Sequence, residues 1–243
     1  MSNPPLAIVF GGSRGIGAAT VEALAGAGHR VAFTYVSGAE PARALEARLG
    51  AQVRGYAADI CDAAAVARVF ADAARDFGSP PHVVVANAGI NVPPGPVAQF
   101  KTEDFRKLVE VNIVGAFNIL REAAKNVEDG GAIVALTTSL VRHAAPGVGP
   151  YSASKAAVES LVRSMAKELA PRKVRVNAVA PGPVDTDLFN AGKTDEAKQR
   201  SAALSPFNRI GTPAEIAAVV SFLVSDQASW VHGQVVQPNG GLI

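Results

Sequence analysis

Residues 6–25 run from strand through a glycine-rich turn into helix without a spacer. Leu6-Ala7-Ile8-Val9-Phe10 is a continuous apolar run, the pattern of a central parallel strand covered on both faces. Gly11-Gly12-Ser13-Arg14-Gly15-Ile16-Gly17 follows at once, and Ala18 to Ala25 reads as a helix that ends near Gly26 and Gly28. The glycines permit a tight turn and let the backbone approach a pyrophosphate, which the positive end of the helix attracts. A lone glycine pattern is a weak signal. Set between a strand and a helix, Gly-x-x-x-Gly-x-Gly makes a dinucleotide site the leading expectation.

The same strand-and-helix unit recurs along the chain. Arg30–Tyr35 is the second strand, and Thr34-Tyr35-Val36-Ser37 at its end holds no carboxylate for a ribose 2′-hydroxyl before Glu40. Arg14, inside the turn, is placed to meet a 2′-phosphate instead, so NADP(H) is expected, with NAD(H) as the alternative. Residues 40–49 form a helix and 52–57 a third strand, after which Asp59-Ile60 sets a carboxylate near an adenine amine. Asp62 caps a helix over 63–76. His82–Ala86 is a fourth strand that opens into Asn87-Ala88-Gly89, small residues that let the chain pass close to a ligand.

Thr102 is expected to cap one long helix reaching Asn126, with Asn112, a poor mid-helix residue, in its interior between Val111 and Ile113. Ala132–Leu136 is a fifth strand ending in Thr137-Thr138-Ser139, hydroxyls at the end where open α/β sheets hold ligands. Val174–Val179 is the sixth, turning off through Pro181-Gly182-Pro183-Val184-Asp185-Thr186. Residues 187–209 are polar and long for a connection, the pattern of a lid-like loop. Thr212-Pro213-Ala214-Glu215 is a capping box with proline at the first helical position, and a short seventh strand lies near Gln234–Gln237. Strands alternate with helices throughout. The expected architecture is α/β: one doubly wound domain over 1–243, with a parallel seven-stranded sheet and helices on both faces.

Composition narrows the classes of function. Hydrophobic residues make up 49% of the 243 and charged residues 18%, enough for a large core, and the formal net charge is only +2. No stretch concentrates Lys and Arg, which argues against a nucleic-acid partner. No apolar run reaches the roughly 18 residues of a membrane span. Cys61 is the only cysteine, so neither an internal disulfide nor a cysteine metal site is expected, and no metal is assigned. A cytoplasmic protein acting on a small molecule fits these limits.

Tyr151 and Lys155 stand four apart at the start of an amphipathic segment, Ala156 to Met165. On a helix that spacing puts both side chains on one face, about 5–6 Å apart at Cβ. A neighbouring ammonium favours the phenolate, so a lowered tyrosine pKa is expected, suited to proton transfer.

The chain resembles the short-chain dehydrogenase/reductase family over essentially its whole length. The resemblance rests on Gly11-x-x-x-Gly15-Ile16-Gly17, Asn87-Ala88-Gly89, Asn112, the Ser/Thr cluster, Tyr151 with Lys155, and Pro181-Gly182. It implies hydride transfer between a nicotinamide and a carbonyl carbon, with Tyr151 exchanging a proton with the carbonyl oxygen. It also implies that Lys155 tunes Tyr151 and bonds the nicotinamide ribose. Asn112 would hold a relay water, and Val184 and Thr186 the carboxamide. The hydroxyl that steadies the substrate falls on Thr138 by spacing and on Ser139 by residue type. Similarity to 3-oxoacyl-thioester reductases and assembly into a homodimer or homotetramer are further expectations of the resemblance. A non-catalytic NADP(H) sensor is the alternative. The chain departs from the family's pattern at Phe10, where a threonine is usual, at Ala86, where an asparagine is usual, and at Asn239, where an aspartate is usual. The first two changes touch one local hydrogen-bond set, and repacking rather than loss of cofactor binding is expected.

Overall fold

The computed structural model describes residues 4–243. The sheet comprises β1 (Leu6–Phe10), β2 (Arg30–Tyr35), β3 (Val53–Ala57), β4 (Pro81–Ala86), β5 (Ala132–Leu136), β6 (Arg175–Val179) and β7 (Val235–Val236). All pairs are parallel, in the order β3-β2-β1-β4-β5-β6-β7. The chain therefore winds outward from β1 in both directions, and the winding reverses between β1 and β4.

Side-chain alternation along β1 explains why the sheet is covered twice. Leu6, Ile8 and Phe10 face one layer, where they meet Val66 and Phe70 of α3 (Ala63–Phe77), Ile119 of α5 (Ala116–Asn126) and Val162 of α7 (Gly149–Leu169). Ala7 and Val9 face the other, against Val21 and Leu24 of α1 (Gly15–Gly26) and Val220 and Leu223 of α10 (Pro213–Val224). A strand apolar at every position can satisfy both layers only from the middle of a sheet. Phe10 is fully buried and its ring centroid lies 5.6 Å from that of Phe70, so the residue that departs from the family's pattern is a core residue here.

Two expectations are corrected. The single helix over 102–126 is three segments: α4 (Thr102–Leu108), a π-helical turn (Val109–Gly115) and α5. Thr102 does not cap it. Lys101 occupies the cap position without a side-chain bond, since an ammonium offers no acceptor. The wider turn is centred on Asn112, whose side chain is held outside the helix, as described below; such turns occur where a residue is re-aimed. The second correction concerns 187–209, which contains α8 (Asp187–Asn190) and α9 (Asp195–Ala203). α9 buries none of its residues, so no apolar stripe marks it. Its start is set by Thr194, whose hydroxyl accepts from Ala197 N at 3.3 Å, and Thr186 caps α8 in the same way.

Other local signals are met as written. Asp62 accepts from Ala64 N and Ala65 N, and Thr212 and Glu215 form the reciprocal box at the start of α10. Among the described residues no helix is long and apolar enough to cross a membrane, and no cluster of His, Cys, Asp or Glu has the makings of a metal site.

His29, just before β2, has a buried Nδ1 that finds no partner among the described residues, and burial together with the nearby His82 lowers its pKa below 6.5. The unfolded chain therefore takes up this proton first as pH falls, so stability is lost as pH drops through the unfolded value. Unfolding midpoints measured between about pH 8 and pH 5.5 should fall on acidification, and His29→Gln should reduce that fall.

Candidate active site

The sheet reversal between β1 and β4 opens a crevice at the carboxyl ends of the strands, the place where open α/β sheets bind ligands. Nearly every residue singled out in the sequence comes to this edge.

The glycine turn forms its first wall. Gly11 and Gly15 have φ of +76° and +52°, which L side chains rarely adopt. A Cβ on Gly17 would lie 2.0 Å from the Gly11 carbonyl oxygen, so the turn closes on itself too tightly for any other residue. Asn87 donates from Nδ2 to that oxygen at 2.8 Å and tethers the turn to the end of β4. A Cβ on Gly11 would in turn lie 2.9 Å from Ala88 Cα. Arg14 precedes α1 without capping it by its side chain, and the first helical turn contains no acid. The guanidinium instead reaches across the end of β2, donating from Nη2 to Ser37 O at 2.6 Å. Ser13 directly precedes Arg14 in the turn, and Ile16 and Tyr35 pack against the adjoining core.

The wall beyond β3 divides between surface and core. Asp59 is exposed and accepts from Cys61 N at 2.9 Å. Ile60 is buried, and its carbonyl accepts from Asn118 Nδ2 at 3.0 Å, so its side chain belongs to the core.

Tyr151 and Lys155 occupy successive turns at the start of α7, as their spacing requires. Lys155 is buried and donates from Nζ to the carbonyl of Leu136, the last residue of β5, at 3.1 Å. Tyr151 is half-buried. Burial pushes the phenol up to about 12 and the lysine down to about 8. The expected lowering of Tyr151 is thus corrected: with burial the sole cause of both shifts, the low-dielectric surroundings disfavour phenolate and ammonium alike.

Asn112 supports the pair from behind. Its Oδ1 accepts from Ile90 N at 2.8 Å, and its Nδ2 donates to Ile90 O at 2.9 Å and to Ser154 Oγ at 3.1 Å. Ser154 then donates to the Tyr151 carbonyl at 2.7 Å. The π-helix is thereby bonded to the turn of α7 that carries Tyr151. Sequence reading missed Ser154; its only signal was a hydroxyl three residues after Tyr151 on the same helical face. Gly89 fits between the two systems. A Cβ there would lie 3.0 Å from Lys155 Nζ and 3.1 Å from Asn112 Oδ1.

The two candidate hydroxyls after β5 differ. Ser139 is 1% exposed and its Oγ donates to Ala180 O at 2.7 Å, while its N donates to Pro181 O. The Thr138 hydroxyl accepts from Leu140 N at 3.3 Å, and among the described residues its proton has no acceptor. Across the crevice, Gly182 packs against Asn239, whose Cα a Cβ would approach to 2.9 Å. Val184 is buried and bridges Gly211, joining the two ends of the 187–209 excursion. Thr186 brings its methyl to within 3.2 Å of where a Gly15 Cβ would stand, so the lid begins beside the glycine turn.

A family model described as "Enoyl-(Acyl carrier protein) reductase" matches residues 11–243. The chain is 38% identical, over its full length and 98% of the relative's, to "NADPH-dependent aldehyde reductase-like protein, chloroplastic" of Arabidopsis thaliana. The chain belongs to the short-chain dehydrogenase/reductase family. Versicolorin reductase 1 of Aspergillus parasiticus is 38% identical over 97% of this chain and 95% of its own. A short-chain dehydrogenase from Burkholderia cenocepacia, solved in complex with NADP, superposes with a TM-score of 0.91 at 32% identity, covering 98% of this chain and 97% of that one. As a short-chain dehydrogenase/reductase, the protein is an NAD(P)-dependent oxidoreductase.

The tight fit around Gly89 supplies a test. Gly89→Ala should leave a folded protein but displace Lys155 Nζ or Asn112, and misplacement of this order lowers kcat by about tenfold to a hundredfold. Turnover measured beside the melting temperature would separate this from a loss of stability.

Proposed function

We propose that the protein is an NADP(H)-dependent carbonyl reductase in which Tyr151 is the proton donor. The observation that carries this reading is the pair of half-buried Tyr151 and buried Lys155 on one face of α7, set at the strand ends that also carry a glycine turn with an uncapped helix end. The turn fits a dinucleotide: its glycines leave no room for side chains, and its helix start has neither capping side chain nor acid, which suits a pyrophosphate. Arg14, fixed over Ser37 beside a strand end without a carboxylate, suits a 2′-phosphate. The printed names of the Arabidopsis relative and the Burkholderia structure, with NADPH and NADP, support the same preference.

A bound nicotinamide supplies the hydride that adds to the carbonyl carbon. Tyr151 donates its hydroxyl proton to the carbonyl oxygen as the alkoxide develops, so the product is an alcohol. Lys155, about ten to one in favour of ammonium at neutral pH, stabilises the tyrosinate left behind and bonds the nicotinamide ribose. Asn112 holds the water that returns a proton from solvent through Lys155. Val184 and Thr186 hold the carboxamide. Thr138 donates to the carbonyl oxygen, since its proton is uncommitted while that of Ser139 is spent on Ala180 O. Asp59 approaches the adenine amine.

The lid favours a neutral substrate. Lys193 donates to Phe189 O at 2.6 Å with its ammonium over the Phe189 ring, and Arg209 is paired with Glu215 through both carboxylate oxygens. Neither cation is left to receive an acid, while Leu188, Leu204 and Phe207 are exposed apolar side chains on the same segment. An apolar aldehyde or ketone is the first reading. A 3-oxoacyl thioester is the second, favoured by those apolar residues as a surface for an acyl chain. Exposed Phe105, Val114 and Phe117 along α4, the π-helix and α5 support a homodimer or homotetramer through that face. A cytoplasmic location suits the single free cysteine, and differs from the chloroplast printed in the name of the Arabidopsis relative.

Parallel titration with NADPH and NADH, followed by turnover on aldehydes, cyclic ketones and 3-oxoacyl thioesters, tests the reading. NADPH should bind more tightly, and Arg14→Ala should weaken NADPH about tenfold or more while sparing NADH. Tyr151→Phe should lower kcat by about 10²–10⁴-fold. Thr138→Val should cost about 10²-fold, and Ser139→Ala less. NADPH binding with no turnover on any carbonyl would favour the sensor alternative.

The protonation states give a pH profile. Tyr151, at about 12, stays protonated through the neutral range, and Lys155, at about 8, loses its charge above it. Carbonyl reduction should therefore decline as pH rises through about 8, read from kcat at saturating substrate.

A further inference from the structure

Strand β2 contributes a residue to the glycine turn that no part of the catalytic description uses. Thr34, one position before the end of β2, is 1% exposed, and its hydroxyl oxygen accepts from Gly11 N at 3.0 Å. Its own carbonyl accepts from the next amide, Gly12 N, at 2.9 Å. Two consecutive N–H groups of the turn are therefore held by one residue, once through the side chain and once through the backbone. The neighbouring Phe33 closes the same contact from the other face of the sheet, because a Cβ on Gly12 would lie 2.5 Å from Phe33 Cβ. On the far side, the Gly11 carbonyl accepts from Asn87 Nδ2. Gly11 is thus gripped at its N–H from β2 and at its carbonyl from β4, while its φ of +76° leaves the backbone few other means of support.

The side chain at position 10 takes no part in this grip. Phe10 is wholly buried among apolar residues, so among the described residues the only hydroxyl bonded to the start of the turn comes from β2. A Thr34 without its oxygen leaves the Gly11 N–H facing an apolar group, a penalty that the turn escapes only by moving. Moving it shifts the backbone amides that line the dinucleotide crevice, which lie some distance from Tyr151.

We propose that Thr34 is a positioning residue for NADP(H), setting the glycine turn through its hydroxyl without taking part in the chemical step. The proposal rests on the NADP(H) reading above. It separates Thr34 from a merely structural core residue by predicting a loss confined to nucleotide binding.

The test compares wild type, Thr34→Val, Thr34→Ala and Thr34→Ser by fluorescence titration with NADPH, with steady-state kinetics on the best carbonyl of the panel. Thr34→Val, which keeps the shape and removes the hydroxyl, should weaken NADPH binding about tenfold, or ~1.4 kcal/mol. At saturating NADPH its kcat should stay within about twofold of wild type, the signature of lost uniform binding. Thr34→Ser should restore the affinity. Native-state amide exchange provides a reading that needs no variant to fold: the Gly11 N–H of the wild-type protein should be protected, and should exchange faster in whichever hydroxyl-free variant is folded.

Wild-type binding of NADPH with unchanged affinity in Thr34→Val overturns the inference alone. So does an unprotected Gly11 amide in the wild type, or a Thr34→Ser variant as weak as Thr34→Val. A wild-type protein that binds no nicotinamide nucleotide overturns the functional reading, and this inference with it.

Discussion

The hydrogen bond from Lys155 Nζ to the carbonyl of Leu136 joins the two halves of the molecule that matter most. It ties the start of α7, which carries Tyr151 and Lys155, to the carboxyl end of β5, inside a region where an ammonium is costly without partners. That bond fixes where Lys155 ends, and a side chain at Gly89 would crowd the lysine Nζ and Asn112, which lie beside it. The register of β5 on β4, Val83 opposite Ala132 through Ala86 opposite Ala135, sets the distance between the Leu136 carbonyl and the Asn87-Ala88-Gly89 segment. Sheet pairing and active-site geometry are one constraint: a slip in register would move the lysine's acceptor away from the glycine made to accommodate it.

The parts that were legible in the sequence are those dictated by local chemistry or by a strict period. Strand β1 was readable because every position is apolar, and β5 because Ala132–Leu136 is bounded by Gly131 and a run of hydroxyls. Asp62 and Thr212 were readable as caps because their side chains satisfy amides within three residues. What was not legible depends on partners distant in sequence. The π-helix at Asn112 follows from bonds to Ile90 and Ser154, and no window of residues 102–126 contains them. The helicity of α9 escaped because its residues are polar all round and lack the apolar stripe by which surface helices are recognised. At the hydroxyl cluster, spacing and residue type pointed to different residues, and the sequence could not show that Ser139 Oγ donates to the backbone of Ala180, a contact set by the path of β6.

The same limit applied to the proton chemistry. Spacing placed an ammonium beside a phenol, and charge alone would lower the tyrosine. Burial acts on both groups and in the opposite sense for each, raising Tyr151 and lowering Lys155. The pair is therefore arranged as a protonated phenol next to a lysine whose charge is held only weakly. A site in this state has a proton ready for a developing alkoxide, which is the protonation state that the proposed carbonyl reduction starts from. Oxidation requires the phenol to lose its proton first, against the cost of a buried anion.

Electrostatics at the mouth of the crevice points the same way. Lys193 and Arg209, two cations of the lid segment, are both held by partners of the protein's own, Phe189 and Glu215. The Arg209–Glu215 pair also anchors the far end of the lid to the capping box of α10, with Glu215 bonded to the Thr212 amide at 2.8 Å. An acidic substrate would have to compete with that anchor for Arg209. A neutral carbonyl compound, the substrate class proposed, imposes no such conflict: it can leave the Val184–Gly211 bridge paired and meet the exposed Leu204 and Phe207.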